Sequence, residues 1–159
     1  MKCHVQKVQV RHLYISPGHN FFGRNGLPAG EHPTLAVPEI ECVAGRGIKG
    51  DRFFDFKANY KGQATFFSQE VFAALCAELR LSGKSPGETR RNIVVTGLEL
   101  NSLVGREFEL QGVKFRGVAE CSPCHWMDHA FAPGAETFLK NRGGLRVQIL
   151  TDGKLRVDE

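Results

Sequence analysis

Short stretches in which polar and apolar residues alternate recur along this chain, and glycine-containing turns separate many of them. Alternation of this kind is typical of strands that bury one face. The clearest stretches are residues 5–15, 39–54, 63–68, 90–97, 106–120 and 145–157. Because strands and helices do not alternate regularly, we expect a mainly β (α+β) fold: a barrel-like antiparallel domain with a few short peripheral helices.

Turn signals inside two of these stretches predict hairpins. The first would turn at Gln111 and Gly112, and the second at Asp152 and Gly153. Two-residue loops that end in glycine are favoured between antiparallel strands because they tolerate positive φ. We therefore expect the segments on either side of each loop to pair with each other.

Helix signals are fewer than strand signals. Residues 69–81 predict the longest helix, with Ser68 as its N-cap and Gly83 after its end. Its apolar stripe includes Cys76, which we expect to be an ordinary core residue because a free cysteine behaves as a small hydrophobe. Two shorter helices are expected after residue 124, separated by Pro133 and Gly134.

The size and charge of the chain limit which kinds of protein it can be. Its 159 residues fit a single domain, 1–159, with a Gly/Pro-rich loop at residues 16–35 that we interpret as a flap near a site. The net charge of +4 comes without a run of Lys and Arg, so no nucleic-acid partner is expected. We find neither a signal-peptide pattern nor a membrane-spanning stretch, and expect a cytoplasmic protein without a membrane partner. In that reducing compartment the five cysteines are expected to be thiols, ligands or catalytic groups.

The segment that carries the clearest chemistry is CSPCHWMDH, residues 121–129. Haem c attachment is disfavoured because Met127 is too close to His125 to act as the opposite axial ligand. A zinc site is disfavoured because Cys124 and His125 would project about 100° apart on a helix. A thioredoxin-type pair belongs in a βαβ unit, and a structural disulfide does not suit a reducing compartment.

An activated single thiolate is the interpretation that the neighbouring residues favour. Ser122 suits the N-cap of a helix and Pro123 its first position, which would place Cys124 in the first turn. There the positive end of the helix dipole would favour a thiolate, so Cys124 is a candidate nucleophile or soft-metal ligand. Cys121 would lie beside it as a candidate resolving thiol. The alternative is that both cysteines are unreactive turn residues.

Five segments then occur in order: GIKGDRFF, GQATFFSQEVFAAL, PGETRRNIVVTGLELNSLVG, CSPCHWMD and GGLRVQILTDGKLRV. Together they resemble the MOSC domain, which is named for the C-terminal domain of molybdenum cofactor sulfurases. The resemblance runs from about residue 45 to the C-terminus. It implies a β-rich, barrel-like domain that binds or services the molybdenum cofactor, a pterin dithiolene that ends in a phosphate.

The resemblance also implies roles for individual residues. Cys124 matches the family cysteine, which ligates molybdenum in amidoxime-reducing relatives and is proposed to carry a persulfide in sulfurases. Arg52, Arg90 and Asn92 match positions that line the cofactor, and a guanidinium group suits a phosphate. The remaining candidates are Gly50 and Asp51 as turn residues, Ser16 as a phosphate contact, and Cys121 as the partner of Cys124 in a disulfide or persulfide relay.

Three functions are compatible with the resemblance. In the first, the protein is a small reductase of N-hydroxylated small molecules: Cys124 ligates molybdenum, an electron-donor protein supplies electrons, and Asp128 and His129 are available for proton transfer. In the second, it is a sulfur carrier in metal-sulfur cofactor assembly, and a cysteine desulfurase loads a persulfide onto Cys124. In the third, it is a non-enzymatic carrier of the intact cofactor. The sequence thus leaves open whether the protein is an oxidoreductase, a sulfur transferase or no enzyme.

Pyridoxal phosphate is associated with the family through a separate sulfurase domain.

Overall fold

The computed structural model describes residues 8–17 and 34–158. Its strands are β1 (Gln9–Ile15), β2 (Leu35–Ala36), β3 (Glu39–Val43), β4 (Gly47–Ile48), β5 (Ala64–Ser68), β6 (Ile93–Thr96), β7 (Glu107–Leu110), β8 (Val113–Glu120), β9 (Leu145–Ile149) and β10 (Gly153–Arg156). Its helices are α1 (Gln69–Glu78), α2 (Trp126–Ala130) and α3 (Ala135–Phe138), with 3-10 helices at Pro86–Thr89 and Leu100–Leu103. Most of the predicted loop 16–35 lies outside the described residues.

The strands form two sheets. Within the described residues, one mixed sheet has the order β2-β1-β6-β5-β9-β8-β7, and a smaller sheet has the order β10-β3-β4. The mainly β fold with short helices is confirmed. It differs from the prediction in two details: β5 and β6 run parallel, and the large sheet is open rather than closed into a barrel. The parallel pair is allowed because α1 and a 3-10 helix occupy the connection between β5 and β6.

One of the two expected hairpins forms. Strands β7 and β8 pair across Gln111 and Gly112, whose φ angles of 50° and 84° suit a two-residue turn. The hairpin expected at Asp152 and Gly153 is wrong, because β9 pairs with β5 and β8 whereas β10 pairs with β3 in the other sheet. The Asp152 carboxylate accepts the backbone N–H of Ala44 at 2.7 Å, which ties the connection to the end of β3.

The central strand β5 separates two hydrophobic clusters. Its residues are all buried, including the polar Thr65 and Ser68, as expected for a strand covered on both faces. Phe66 packs into a cluster shared by the two sheets. The next residue, Phe67, packs into a cluster formed with the helices. Successive side chains therefore join the sheet core to the helical layer.

Helix α1 begins and packs as its sequence predicts. The Ser68 hydroxyl accepts the N–H of Val71 at 3.1 Å, and Phe72 and Leu75 are buried. Cys76 is half-buried against the helical cluster. The helix ends before Arg80, which adopts the left-handed conformation, so Gly83 lies beyond its end. None of the described helices has the length and apolar character needed to cross a bilayer.

We expect Phe115→Ala to lower the free energy of unfolding by about 3–5 kcal/mol. The Phe115 side chain is fully buried. The centre of its ring lies 5.2 Å from the centre of the Phe66 ring and 5.5 Å from the centre of the Phe108 ring. Urea unfolding measures the change. Val104→Ala is the control, because Val104 is 43% exposed and should change stability by less than about 0.5 kcal/mol. Equal losses in the two variants would contradict the packing described here.

Candidate functional site: an arginine-lined cavity with two cysteines

A buried carboxylate brings several of the predicted site residues together. The side chain of Asp51 is fully buried. Its Oδ1 accepts the backbone N–H of Ser16 at 2.8 Å and the amide Nδ2 of Asn92 at 3.2 Å. Its Oδ2 accepts the N–H of Phe53 at 3.3 Å, and the guanidinium of Arg52 lies 3.5 Å from Oδ1. Asp51 therefore connects β1, the start of β6 and the turn that carries Arg52.

Asn92 holds strands together at the base of the site. Its Oδ1 accepts the backbone N–H and the hydroxyl of Thr65, at 3.0 and 3.1 Å. Its Nδ2 donates to the carbonyl of Tyr14 at 3.1 Å as well as to Asp51. Asn92 is buried and lies behind the cavity rather than on its wall. The structure thus gives it a supporting position, although the sequence matched it to a cofactor-lining residue.

Ser16 and Gly50 also support the site from behind. The carbonyl of Ser16 accepts the N–H of Arg52 at 2.8 Å, and its hydroxyl lies 3.0 Å from that of Thr34. Gly50 has a φ of 86°, which favours glycine and lets the chain turn from β4 into Asp51. Neither residue lines the cavity among the described residues. Both act on the position of Arg52.

Arg90 is presented to the cavity by a short capped helix. The 3-10 helix Pro86–Thr89 begins with a capping box in which Ser85 and Glu88 bond each other's backbone. Arg90 follows it with a φ of 63°, a left-handed conformation that non-glycine residues adopt uncommonly. Its Nη1 donates to the hydroxyl of Thr34 at 3.4 Å. The indole of Trp126 anchors the same helix by donating to the Glu88 carbonyl at 2.8 Å.

These elements enclose a cavity of about 260 Å³. Its described lining has a basic side, three aromatic side chains at positions 53, 60 and 126, and both cysteines of the CSPC motif. The residues of the basic side are Arg52, Arg90, Arg91 and Arg146. The Arg52 guanidinium lies 4.5 Å from the centre of the Phe53 ring, and that ring lies 5.3 Å from the ring of Tyr60. Charge and aromatic surface therefore face the same space.

Two of the arginines are held in an environment that disfavours their charge. Burial lowers the pKa of Arg52, with a further lowering from Arg91 that Asp51 opposes. Burial also lowers the pKa of Arg90 to about 10, and the nearby charge of Arg52 adds to this effect. An anion in the cavity would offset both causes, because it supplies the opposite charge that buried guanidinium groups require. The cavity is therefore suited to a phosphate or another anionic group.

The two cysteines differ in exposure although they line the same cavity. Cys121 is buried and Cys124 is exposed. The expectation that Cys124 lies in the first turn of a helix with Ser122 as N-cap is wrong, because α2 begins at Trp126 and His125 is its N-cap. The Cys124 carbonyl accepts the N–H of Met127 at 2.9 Å, so Cys124 belongs to the turn that precedes the helix. The charged side chains that line the cavity with the two thiols are arginines.

Arg91 is a site residue that the sequence reasoning missed. Its guanidinium donates to backbone carbonyls of three segments, and its contact with the cysteine loop is to Cys121 and Ser122. The doubled arginine in RRN was a visible signal of a basic turn. Nothing in the sequence shows that Arg90 and Arg91 point to different partners, since this depends on the left-handed turn at Arg90.

The residues considered for proton transfer do not line this cavity. Asp128 accepts the N–H of Glu136 at 2.8 Å and so joins α2 to α3. With His125 and Glu136 it forms a group whose donor atoms lie within 4.8 Å of one another. The His129 ring lies 5.3 Å from that of Trp126. In this part of the chain both residues pack the helices rather than face the arginines.

Comparisons with known proteins identify the domain and its fold. The model of the MOSC domain family matches residues 54–159. The crystal structure of the YuaD protein from Bacillus subtilis has a TM-score of 0.72 at 17% identity, over 94% of this chain and 91% of that one. YiiM from Geobacillus stearothermophilus has a TM-score of 0.66 at 13% identity, over 94% and 71%. YiiM from Escherichia coli has a TM-score of 0.61 at 16% identity, over 95% and 65%. No curated protein matches the sequence.

We expect Asp51→Asn to destabilise the protein by about 3 kcal/mol. The substitution removes the charge opposite Arg52. It also replaces one acceptor oxygen by an NH₂ group, which would face a donor that now hydrogen-bonds to the carboxylate. Urea unfolding checks this value. Asp55→Asn is the matched control: Asp55 forms an ion pair with Arg46 in which both side chains are about half exposed, so its loss should have little effect on stability. A neutral Asp51→Asn would show that this carboxylate does not organise the site.

Proposed function

Because this chain belongs to the MOSC domain family, we propose that it binds the molybdenum cofactor in the arginine-lined cavity and acts as a small reductase of N-hydroxylated compounds. The observation that carries the proposal is the exposed Cys124 on the wall of a cavity that also presents Arg52 and Arg90. The family is commonly associated with this cofactor. The reductase activity and the role of Cys124 as the molybdenum ligand are our inferences.

The chemistry of the cavity fits the two ends of this cofactor. Arg52 and Arg90 would hold the terminal phosphate, since guanidinium groups bind phosphate oxygens by paired, charge-assisted hydrogen bonds. The thiolate of Cys124 would be the protein ligand to molybdenum, since soft sulfur ligands suit a metal that is already held by dithiolene sulfurs. When bound, the cofactor supplies the redox chemistry, and the protein supplies binding and orientation.

The chain's own residues would orient the ligand and limit water in the cavity. Asp51 fixes Arg52, and the capped 3-10 helix fixes Arg90, on the basic side of the cavity. The rings of Phe53 and Tyr60 form an apolar wall beside Arg52. Such a wall raises the strength of the charge interactions inside the cavity because it lowers the local dielectric constant. An electron-donor protein would act as the partner of this reductase.

A persulfide carrier is the second candidate, and the observation that favours it is the presence of Cys121 on the same wall as Cys124. Cys124 would take the terminal sulfur from the persulfide of a cysteine desulfurase, which releases the desulfurase thiol. Attack of the Cys121 thiolate on the Cys124 sulfur would then form a disulfide and release hydrosulfide. A dithiol reductant would restore the two thiols.

We expect protein from a host that makes the cofactor to contain stoichiometric molybdenum, and Cys124→Ser to lose most of it. Cys121→Ser should retain the metal if Cys124 alone is the ligand. Elemental analysis measures the content of each variant. Cys76→Ser is the matched control, because Cys76 lies on α1 outside the cavity. Each preparation is then assayed with an N-hydroxylated substrate and a chemical reductant.

The outcomes separate the candidate functions. Molybdenum that depends on Cys124, together with turnover, supports the reductase. Molybdenum without turnover supports a carrier of the intact cofactor. A wild-type protein without molybdenum but with sulfane sulfur on Cys124 supports the persulfide carrier. Equal molybdenum in wild type and Cys124→Ser would overturn the assignment of the ligand.

We expect inorganic phosphate to raise the unfolding temperature of the wild-type protein and to have little effect on Arg90→Met. At about ten times its dissociation constant a ligand stabilises by about 1.4 kcal/mol, or about 4 °C for a chain of this size. The unfolding temperature of each variant is measured with and without phosphate, and the difference is compared between variants. A substitution that lowers the stability of the protein itself therefore does not change the result. Arg116→Met is the control, because Arg116 pairs with Glu107 on the surface. An equal shift in Arg90→Met would contradict an anion site at Arg90.

A further inference from the structure

We propose that Arg91 and Gly143 form a clamp that sets the position of the cysteine loop, residues 121–124, relative to the arginines of the cavity. Arg91 is thus a positioning residue for the Cys124 thiol. The inference deepens the proposed function, and its consequence for a bound cofactor rests on that function. The clamp itself rests on the contacts of the protein alone.

The guanidinium of Arg91 joins three separate segments of backbone. Nε donates to the carbonyl of Gly143 at 2.9 Å, and Nη1 donates to that of Thr89 at 3.1 Å. Nη2 donates to the carbonyls of Cys121 at 3.2 Å and Ser122 at 3.4 Å. The cysteine loop is therefore tied both to the helix that presents Arg90 and to the turn before β9.

Gly143 allows the turn before β9 to approach the cysteine loop closely. A Cβ atom at this position would lie 2.3 Å from the carbonyl oxygen of Cys121 and 3.0 Å from Cδ of Pro123. The adjacent Gly144 has a φ of 118°, and its carbonyl accepts the N–H of Cys121 at 2.8 Å. The paired glycines and Arg91 thus hold the loop from two directions.

Lysine cannot replace Arg91 in this arrangement. The planar guanidinium group directs its N–H groups outward at fixed angles, which lets one side chain reach acceptors on three segments. An ammonium group carries the same charge on one nitrogen atom and cannot span the same acceptors. Charge alone therefore predicts that Arg91→Lys behaves like the wild type, whereas the clamp predicts that it behaves like Arg91→Gln.

Arg52 and Arg90 have a different role in the cavity from that of Arg91. The nitrogens of Arg91 are engaged by carbonyl oxygens, which leaves its positive charge near the cysteines but few N–H groups for a ligand. We therefore assign phosphate binding to Arg52 and Arg90 and loop positioning to Arg91. A variant of Arg91 should retain the phosphate contact and lose the geometry at Cys124.

The first test uses hydrogen exchange of the full-length protein without cofactor. We expect the amide of Cys121 and its neighbours to exchange about tenfold faster in Arg91→Lys, Arg91→Gln and Gly143→Ala than in the wild type, because the clamp that limits local opening is lost. Amides of β5 and β6 should keep their protection, which shows that the fold is intact. Arg116→Lys is the control for the loss of an arginine, since its partner Glu107 lies on the surface. Wild-type exchange in Arg91→Lys would overturn the clamp.

The second test uses protein loaded with the cofactor. We expect Arg91→Lys to keep molybdenum near the wild-type content but to change the electron paramagnetic resonance spectrum of partly reduced metal, because the Cys124 sulfur is displaced. An unchanged spectrum would overturn the consequence for the metal ligand. The two tests fail independently: if the wild type holds no molybdenum the proposed function fails, while the exchange measurement still decides the clamp.

Discussion

The site depends on one buried carboxylate. Asp51 accepts hydrogen bonds from Ser16, Phe53 and Asn92 and lies beside the guanidinium of Arg52. A carboxylate withdrawn from water is tolerated only where donors and a counter-charge replace its hydration. Its donors come from the residue after β1, the residue before β6 and the turn after β4, so satisfying this one group fixes the relative position of three parts of the chain. The location of Arg52 in the cavity is a consequence.

Arg52 and Arg90 place positive charge where burial disfavours it. Burial lowers the pKa values of both arginines. The charge of Arg91 adds to this effect at Arg52, the charge of Arg52 adds to it at Arg90, and Asp51 opposes it at both. Buried charges are seldom the most stable choice for a protein core, since replacing them by apolar residues is often stabilising. Four arginines on the wall of one cavity are therefore better explained by a ligand than by the stability of the fold. Electrostatic strain of this kind is typical of functional sites.

The sequence was sufficient for features that depend on local patterns and insufficient for those that depend on long-range contacts. The β7–β8 hairpin and the start of α1 were predicted because Gln111-Gly112 and Ser68 act on their immediate neighbours. The hairpin at Asp152 failed because that side chain bonds Ala44, far away along the chain. The helix start at Pro123 failed because contacts of the cysteine loop with Arg91 and Gly144 hold it in another conformation.

The same distinction applies to the candidate residues. Asp51, Arg52, Ser16 and Asn92 were matched through motifs, and the structure brings them together around one carboxylate. The matching could not separate the residues that line the cavity from those that support it, because Asn92 and Ser16 satisfy their polar groups within the protein. Burial and hydrogen-bond partners make that separation. They also reveal Arg91, whose guanidinium donates to backbone carbonyls and so leaves no trace in side-chain patterns.

The position of Cys124 limits how its sulfur can be used. Cys124 precedes α2 and so lies outside the first turn of that helix, and the charged side chains that line the cavity with it are arginines. An anion bound to those arginines would neutralise part of their charge but would not by itself engage the Cys124 sulfur. Under the proposed function one ligand would use both features, because the arginines would hold its phosphate and the sulfur would bind its metal. The molybdenum cofactor has these two ends, whereas a simple phosphate ester would leave the Cys124 sulfur unused.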